Sequence, residues 1–230
     1  LLQIFKYKEF SFQLIVLDDC STDASLAIIK NIKNNTFKDL QILINKSNVG
    51  IAISTKILLL NALKLNPDFV LKCDMDNDIP HAEVIEYFIS YLKNHKISHN
   101  HIIVGERNIK VDKNNMSTLE ISEKNKMITY LSTILNIYNY NPVSSGTLFY
   151  GKEVLRSILK QKVVNDYNLR WGLDFLLPLI ALKQGFTVDT IKIDNGSYSI
   201  DRRNDAKIKA QYNSYYHVLD LLKNNYILNI

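Results

Sequence analysis

Three carboxylates stand at alternate positions in one short stretch: Asp74, Asp76 and Asp78, within Phe69-Val70-Leu71-Lys72-Cys73-Asp74-Met75-Asp76-Asn77-Asp78-Ile79-Pro80. The apolar run before them, bounded by Pro67 and Pro80, predicts a buried strand. Alternate residues of an extended chain point to one side, so the three acids converge on one spot if extension persists that far. Grouped anions repel one another unless a cation sits between them. An oxygen-only ligand set suits a hard divalent ion, Mg2+ or Mn2+, with positions left open for substrate phosphates. Other chemistries compete with this one. An acidic run after a strand is often a solvated turn. An EF-hand loop shares the spacing but requires Gly at its sixth position and Glu at its twelfth; Ile79 and Ile85 stand there, which excludes it. A phosphatase-type loop with Asp74 as nucleophile stays open.

A second acidic pair, Asp18-Asp19, follows the apolar run Phe12–Leu17. Ser21, Thr22 and Asp23 are N-cap and first-turn residues for the helix that the apolar spacing of Leu26, Ile28, Ile29 and Ile32 predicts. Gln41–Ile44 reads as a strand, Ile51–Leu65 as an apolar helix and Asp68–Cys73 as a third strand. Strands alternating with helices argue for an open, mostly parallel α/β sheet flanked by helices. In such sheets ligands bind outside the carboxyl ends of the strands, where both acidic clusters fall. Further along, helices are expected at 83–94, 126–137, 152–160, 173–183 and 205–222, and strands at 101–104, 147–150 and 186–193. The segment 110–122 fits neither pattern, and Gly185 sits where a helix C-cap glycine belongs.

The 230 residues are 47% apolar, enough for a full core and against disorder. The net charge of +5 fits an anionic ligand or membrane surface, but the Lys and Arg clusters are short, which argues against nucleic acid. Cys20 and Cys73 lack metal-site spacing, so a reduced, cytoplasmic setting is the expectation. No apolar run reaches the length of a membrane span or a signal peptide. The first residue is Leu1 rather than Met, so a natural start is expected upstream. His81, His95, His99, His101 and His217 also lack metal spacing and read as surface residues. Tyr212, Tyr215 and Tyr216 with Lys207 and Lys209 are candidates for peripheral membrane contact, against the competing reading of a helix packed on the body. Composition rich in Asn, Lys and Ile points to a bacterial source.

An ordered set of motifs resembles the family 2 glycosyltransferases of the GT-A fold. Asp18-Asp19-Cys20-Ser21-Thr22-Asp23 is similar to the family's Asp-Asp-x-Ser-x-Asp block, Asn48-Val49-Gly50 with Ala52 to its Asn-x-Gly-x-Ala, and Asp74-Met75-Asp76 to its Asp-x-Asp. Gly105-Glu106-Arg107 resembles the Gly-Ser-Arg of the polyprenyl-phosphate sugar transferase branch. Ser145-Gly146-Thr147 and Asp174, with Gly185-Phe186-Thr187-Val188, resemble the acceptor half. The resemblance runs from about residue 12 to 204 and implies one domain over 1–230: a nucleotide-sugar half over 12–104, an acceptor half over 105–204 and a C-terminal helix over 205–230. On this resemblance, the family's first strand is expected to be missing.

Carried over by position, the resemblance implies an inverting, metal-dependent transferase using a UDP- or GDP-sugar; a non-catalytic nucleotide- or glycan-binding relative is the alternative that a missing first strand suggests. Its acceptor would be a glycan or a polyprenyl phosphate, in bacterial surface polysaccharide synthesis at or near the inner face of the membrane. Asp19 would accept from the base, Asp18 would support that turn, and Asn48 and Gly50 would let backbone approach the nucleotide. Asp74 would contact the ribose or metal and Asp76 the metal, Mn2+ or Mg2+. Asp78 stands where the polyprenyl branch has Gln. Asp174 matches the catalytic base, although Leu173 precedes it where Glu is usual. Arg107, Arg202 and Arg203 are diphosphate candidates, and Trp171 is a candidate for stacking on an acceptor sugar.

Overall fold

The computed structural model describes residues 9–75, 81–94, 98–107, 118–134, 144–193 and 204–223. In chain order these form β1 (Ile15–Asp18), α1 (Ser25–Asn35), β2 (Gln41–Ile44), α2 (Ile51–Lys64), β3 (Phe69–Lys72), α3 (His81–Asn94) and β4 (His101–Arg107). Then come α4 (Thr118–Ile134), β5 (Ser144–Gly151), α5 (Lys152–Leu159), α6 (Lys162–Asn165), α7 (Leu173–Lys183), β6 (Thr187–Ile193) and α8 (Asp205–Lys223).

The strands lie in two sheets. β1 and β2 pair in parallel. The other sheet has the order β3-β5-β4-β6, in which β4 and β6 are parallel and β5 runs antiparallel to both β3 and β4. Thus β3, β4 and β6 share one direction, and the expected parallel set is interrupted at its centre by β5. Among the described residues no strand joins β1 to β3; α2 packs against both and spans the discontinuity.

Residues of period two divide the larger sheet between two cores. Ile102, Val104, Leu148 and Tyr150 face α2, α4, α5, α7 and α8 in the main core, with Leu155, Ile158, Phe175, Leu176, Ile180 and Leu219 buried against them. Ile103, Phe149, Ile191 and Ile193 face the other way onto Val84 and Phe88 of α3. There Phe149 stacks between Phe69 and Phe88, with ring centroids 5.2 and 5.3 Å apart. α7 is apolar all round because it is buried all round, apart from its first turn and its end. The backbone amides of Gly185 and Phe186 bond to the carbonyls of Leu182 and Ala181 and close it, as the glycine foretold.

Some boundaries differ from expectation. β4 continues through Arg107, held by its pairing with β6 as far as Ile193, while its register with β5 shifts between Val104 and Glu106. α4 begins at Thr118, inside the segment that fitted neither pattern, and α6 is an additional short helix. α1 begins at Ser25 with Ala24 before it and no side-chain cap; Asp23 instead accepts the Ser25 amide at 2.9 Å. α8 is packed on the body: Tyr212 and Tyr215 are buried, Tyr215 lies 5.1 Å from Phe175, and Tyr216 donates to Glu123 at 2.8 Å. The tyrosines considered for membrane contact are therefore taken up in packing. No helix among the described residues is long and apolar enough to cross a membrane.

Candidate active site

The turn after β1 is built around two buried or half-buried carboxylates. Asp18 is buried and accepts the Ser21 amide at 3.1 Å, which holds the turn as expected. Asp19 reaches across to the loop after β2. Its Oδ1 accepts from Asn45 Nδ2 at 2.8 Å and from the Val49 amide at 3.0 Å, and its Oδ2 accepts from the Gly50 amide at 2.8 Å. Asn48 Nδ2 donates to the Asp19 carbonyl at 3.2 Å. Partial burial works against the charged carboxylate, but the Asn45 amide and the two backbone amides outweigh it and hold Asp19 below the usual range. Asp19 therefore stitches the first two strand-end loops together, and much of its acceptor capacity is spent on the chain itself.

Gly50 opens α2 with φ of 90°. A Cβ here would lie 2.5 Å from Arg170 Cγ and 3.2 Å from the Arg170 backbone. The glycine lets the β2–α2 loop close onto the loop before α7, where the Ala52 amide donates to the Arg170 carbonyl at 3.0 Å. The close approach expected toward a nucleotide is thus, within the chain, an approach to Arg170.

At the end of β3, Lys72 is buried, with its side chain only 4% exposed. Its ammonium is ion-paired and hydrogen-bonded to Asp74 Oδ1 and donates to the Gly146 carbonyl at 3.0 Å. The other Asp74 oxygen lies against Gly146, whose φ is 76°; a Cβ there would collide with the carboxylate. Gly146 belongs to β5, so the antiparallel strand supplies the wall on which the Asp74 carboxylate rests. Half-buried Asp174, in the first turn of α7, is the third charge. Burial raises its carboxyl above the usual range; Lys72 opposes this, and Asp74 pushes it further up. Burial alone would lower the Lys72 ammonium, but Asp74 and Asp174 outweigh it and keep it charged. Two carboxylates a hundred residues apart thus bear on one buried cation, Asp74 by direct pairing and Asp174 through its charge alone.

Asp174 is positioned from both sides. Pro178 within α7 has no N–H, so the carbonyl of Asp174 lacks its helical donor. Before α7, the end of α6 and the loop that follows are pinned by α2: Lys56 donates to the carbonyls of Val164, Asn165 and Tyr167 at 3.4, 3.0 and 3.1 Å. Tyr167 in turn donates to the Trp171 carbonyl at 2.6 Å, and burial, with Asp174 nearby, pushes its phenol well up. Trp171 is half-buried, with the Arg170 guanidinium 5.5 Å from its ring centroid.

Asp18, Asp19, Asn48 and Gly50 come together at one pair of strand ends, and Asp74 with Asp174 at the other; the Gly50–Arg170 contact links the two loops that carry them. Asp76, Asp78, Arg202 and Arg203 lie outside the described residues, and of Arg107 only the backbone, at the end of β4, is described. No group of three ligating side chains among the described residues could hold a metal ion. Asp74, the one expected ligand that is described, is already engaged by Lys72, so the described residues do not by themselves make a metal site. Lys72, Lys56 and Arg170 are the residues that sequence reasoning missed. Only Lys72 left a trace, as a lone cation in an apolar strand two positions before an acid. The cysteines bracket the site: Cys20 is exposed with φ of 60°, and Cys73 is half-buried, its thiol pushed up to about 11 chiefly by burial.

No curated protein matches the chain. The family model described as glycosyl transferase family 2 matches residues 1–161, well over half of the sequence and containing both acidic strand ends, although it stops before Asp174. On that match, the chain belongs to family 2 of the glycosyltransferases.

Proposed function

We propose that this chain is a single-domain, inverting sugar transferase. It takes a UDP- or GDP-linked sugar at the Asp18–Asp19 and Asn48–Gly50 loops and passes the sugar to an acceptor hydroxyl beside Asp174. The observation that supports the reading is Asp74 ion-paired to buried Lys72 at the end of β3, with the Asp174 carboxyl close enough for the charges of both to act on it. An acceptor hydroxyl is a weak nucleophile, and a half-buried carboxylate with a raised pKa is suited to take its proton as the anomeric carbon is attacked. Asp19 fixes the loop on which the nucleotide rests, and Arg107 is a candidate partner for the diphosphate. Asp76 and Asp78, together with Asp74, would hold a divalent ion, Mn2+ or Mg2+. Such an ion, when bound, neutralises charge on a leaving diphosphate. A glycan or lipid-linked acceptor, bacterial surface polysaccharide synthesis and a cytoplasmic site belong to the same proposal.

The test is a thermal-shift screen of nucleoside diphosphates with and without Mn2+, followed by donor hydrolysis. A shift for uridine or guanosine diphosphate that Asp76→Ala abolishes supports the reading; no shift with any diphosphate sinks it. One observation favours a second reading: a phosphotransferase with Asp74 as nucleophile wants a neighbouring Lys and a second acid, and Lys72 and Asp174 are at hand. The family match argues against it, and trapping of beryllofluoride on Asp74 would decide for it.

A further inference from the structure

Lys72 is given no catalytic role in the transferase reading, yet its ammonium is among the most deeply buried charges of the site. A strand-end lysine ordinarily carries its ammonium out to water along a flexible stem. This one turns inward, loses its hydration and donates to the Asp74 carboxylate and the Gly146 carbonyl. Burying an ammonium is costly unless it is paired and hydrogen-bonded, so this arrangement holds only while both acceptors stay in place. The result is rigid. Asp74 is pressed between an ammonium on one oxygen and the Gly146 backbone on the other, with no room there for a Cβ. A divalent cation and an ammonium want the same carboxylate lone pairs.

We propose that Lys72 is a positioning residue that occupies Asp74 as a built-in counter-cation, so that a divalent ion binds Asp74 only in competition with it. The inference rests on the transferase reading only in placing the ion at that strand end. Two consequences separate competition from a merely structural role. Removing the ammonium while keeping the stem should tighten Mn2+ binding, whereas loss of a structural prop would weaken it. Saturating Mn2+ should also release the Lys72 amine in the unaltered protein.

The experiment titrates the full chain with Mn2+ alone, without donor, and follows free Mn2+ by electron paramagnetic resonance. Lys72→Met and Lys72→Gln are compared with the unaltered protein, with folding checked by circular dichroism. At least tenfold tighter binding by a folded variant, or binding by the variant where the unaltered protein has none, is the expected result. Equal, weaker or absent binding by a folded variant overturns the proposal. Should neither variant fold, the unaltered protein decides: acetylation of Lys72 by acetic anhydride, read by peptide mass spectrometry, should speed up at least fivefold when Mn2+ is added. An unchanged rate overturns the proposal. Donor hydrolysis is measured separately, so absent turnover with intact competition counts against the transferase reading, and turnover without competition against the role of Lys72.

Discussion

Asp174 sits half-buried within the field of a second carboxylate, and burial raises its carboxyl above the usual range. A carboxyl whose folded pKa is raised costs nothing below its unfolded value near 4. The penalty grows as pH rises through the folded pKa and is complete above it. Asp174→Asn should therefore melt higher than the unaltered chain at neutral pH, with the difference vanishing below about pH 4. The same change should lower turnover about 10²–10⁴-fold, the usual worth of a general base. Calorimetry across pH, beside a transfer assay, checks both halves. Asp19 behaves in the opposite sense. Its depressed pKa contributes stability that is present above about pH 4 and is lost as pH falls through the folded value. Asp19→Asn should lose about 1.5–3 kcal/mol at neutral pH, the worth of amide bonds to a charged acceptor, and its denaturant midpoint should be flatter in that acid window.

At the scale of elements, the loop before α7 is held by α2 rather than by its own sequence. The Lys56 ammonium gathers three carbonyls of the 164–167 segment, and the Gly50–Arg170 contact docks the next turn. Lys56→Met should leave the fold standing but raise hydrogen exchange at amides 165–171 about tenfold or more, since the released carbonyls cost about 1.5 kcal/mol or more of local stability. Much at this scale could be read directly. β2 and α7 fall where apolar period and Gly185 place them, and the acidic turns fall at strand ends because α/β alternation puts them there. What could not be read is pairing between distant strands. Ser144–Gly151 has the composition of a strand whichever way it runs, so its antiparallel place between β3 and β4 is invisible locally. The burial of Lys72 follows from that same placement, because Gly146 arrives on β5 with a carbonyl that accepts its hydrogen bond. Asp74 and Asp174 could each be named from a motif; that one ammonium serves both depends on tertiary structure.

For the molecule as a whole, α2 packs on β1 and β3 at once, and also against α5 and α7. Its Leu59 is 1% exposed in the main core. Leu59→Ala should cost about 2–5 kcal/mol, and protection should fall in both sheets together, giving a single thermal transition. Two separate transitions would show that the sheets are independent. The cysteines, finally, make the chain its own instrument. With the Cys73 thiol pushed up to about 11 and half-buried, little thiolate exists there at neutral pH, while Cys20 stands exposed on the turn between Asp19 and Ser21. A maleimide dye should therefore couple at one position without any engineering, and its emission on addition of a nucleotide would test in real time whether the ligand reaches that turn.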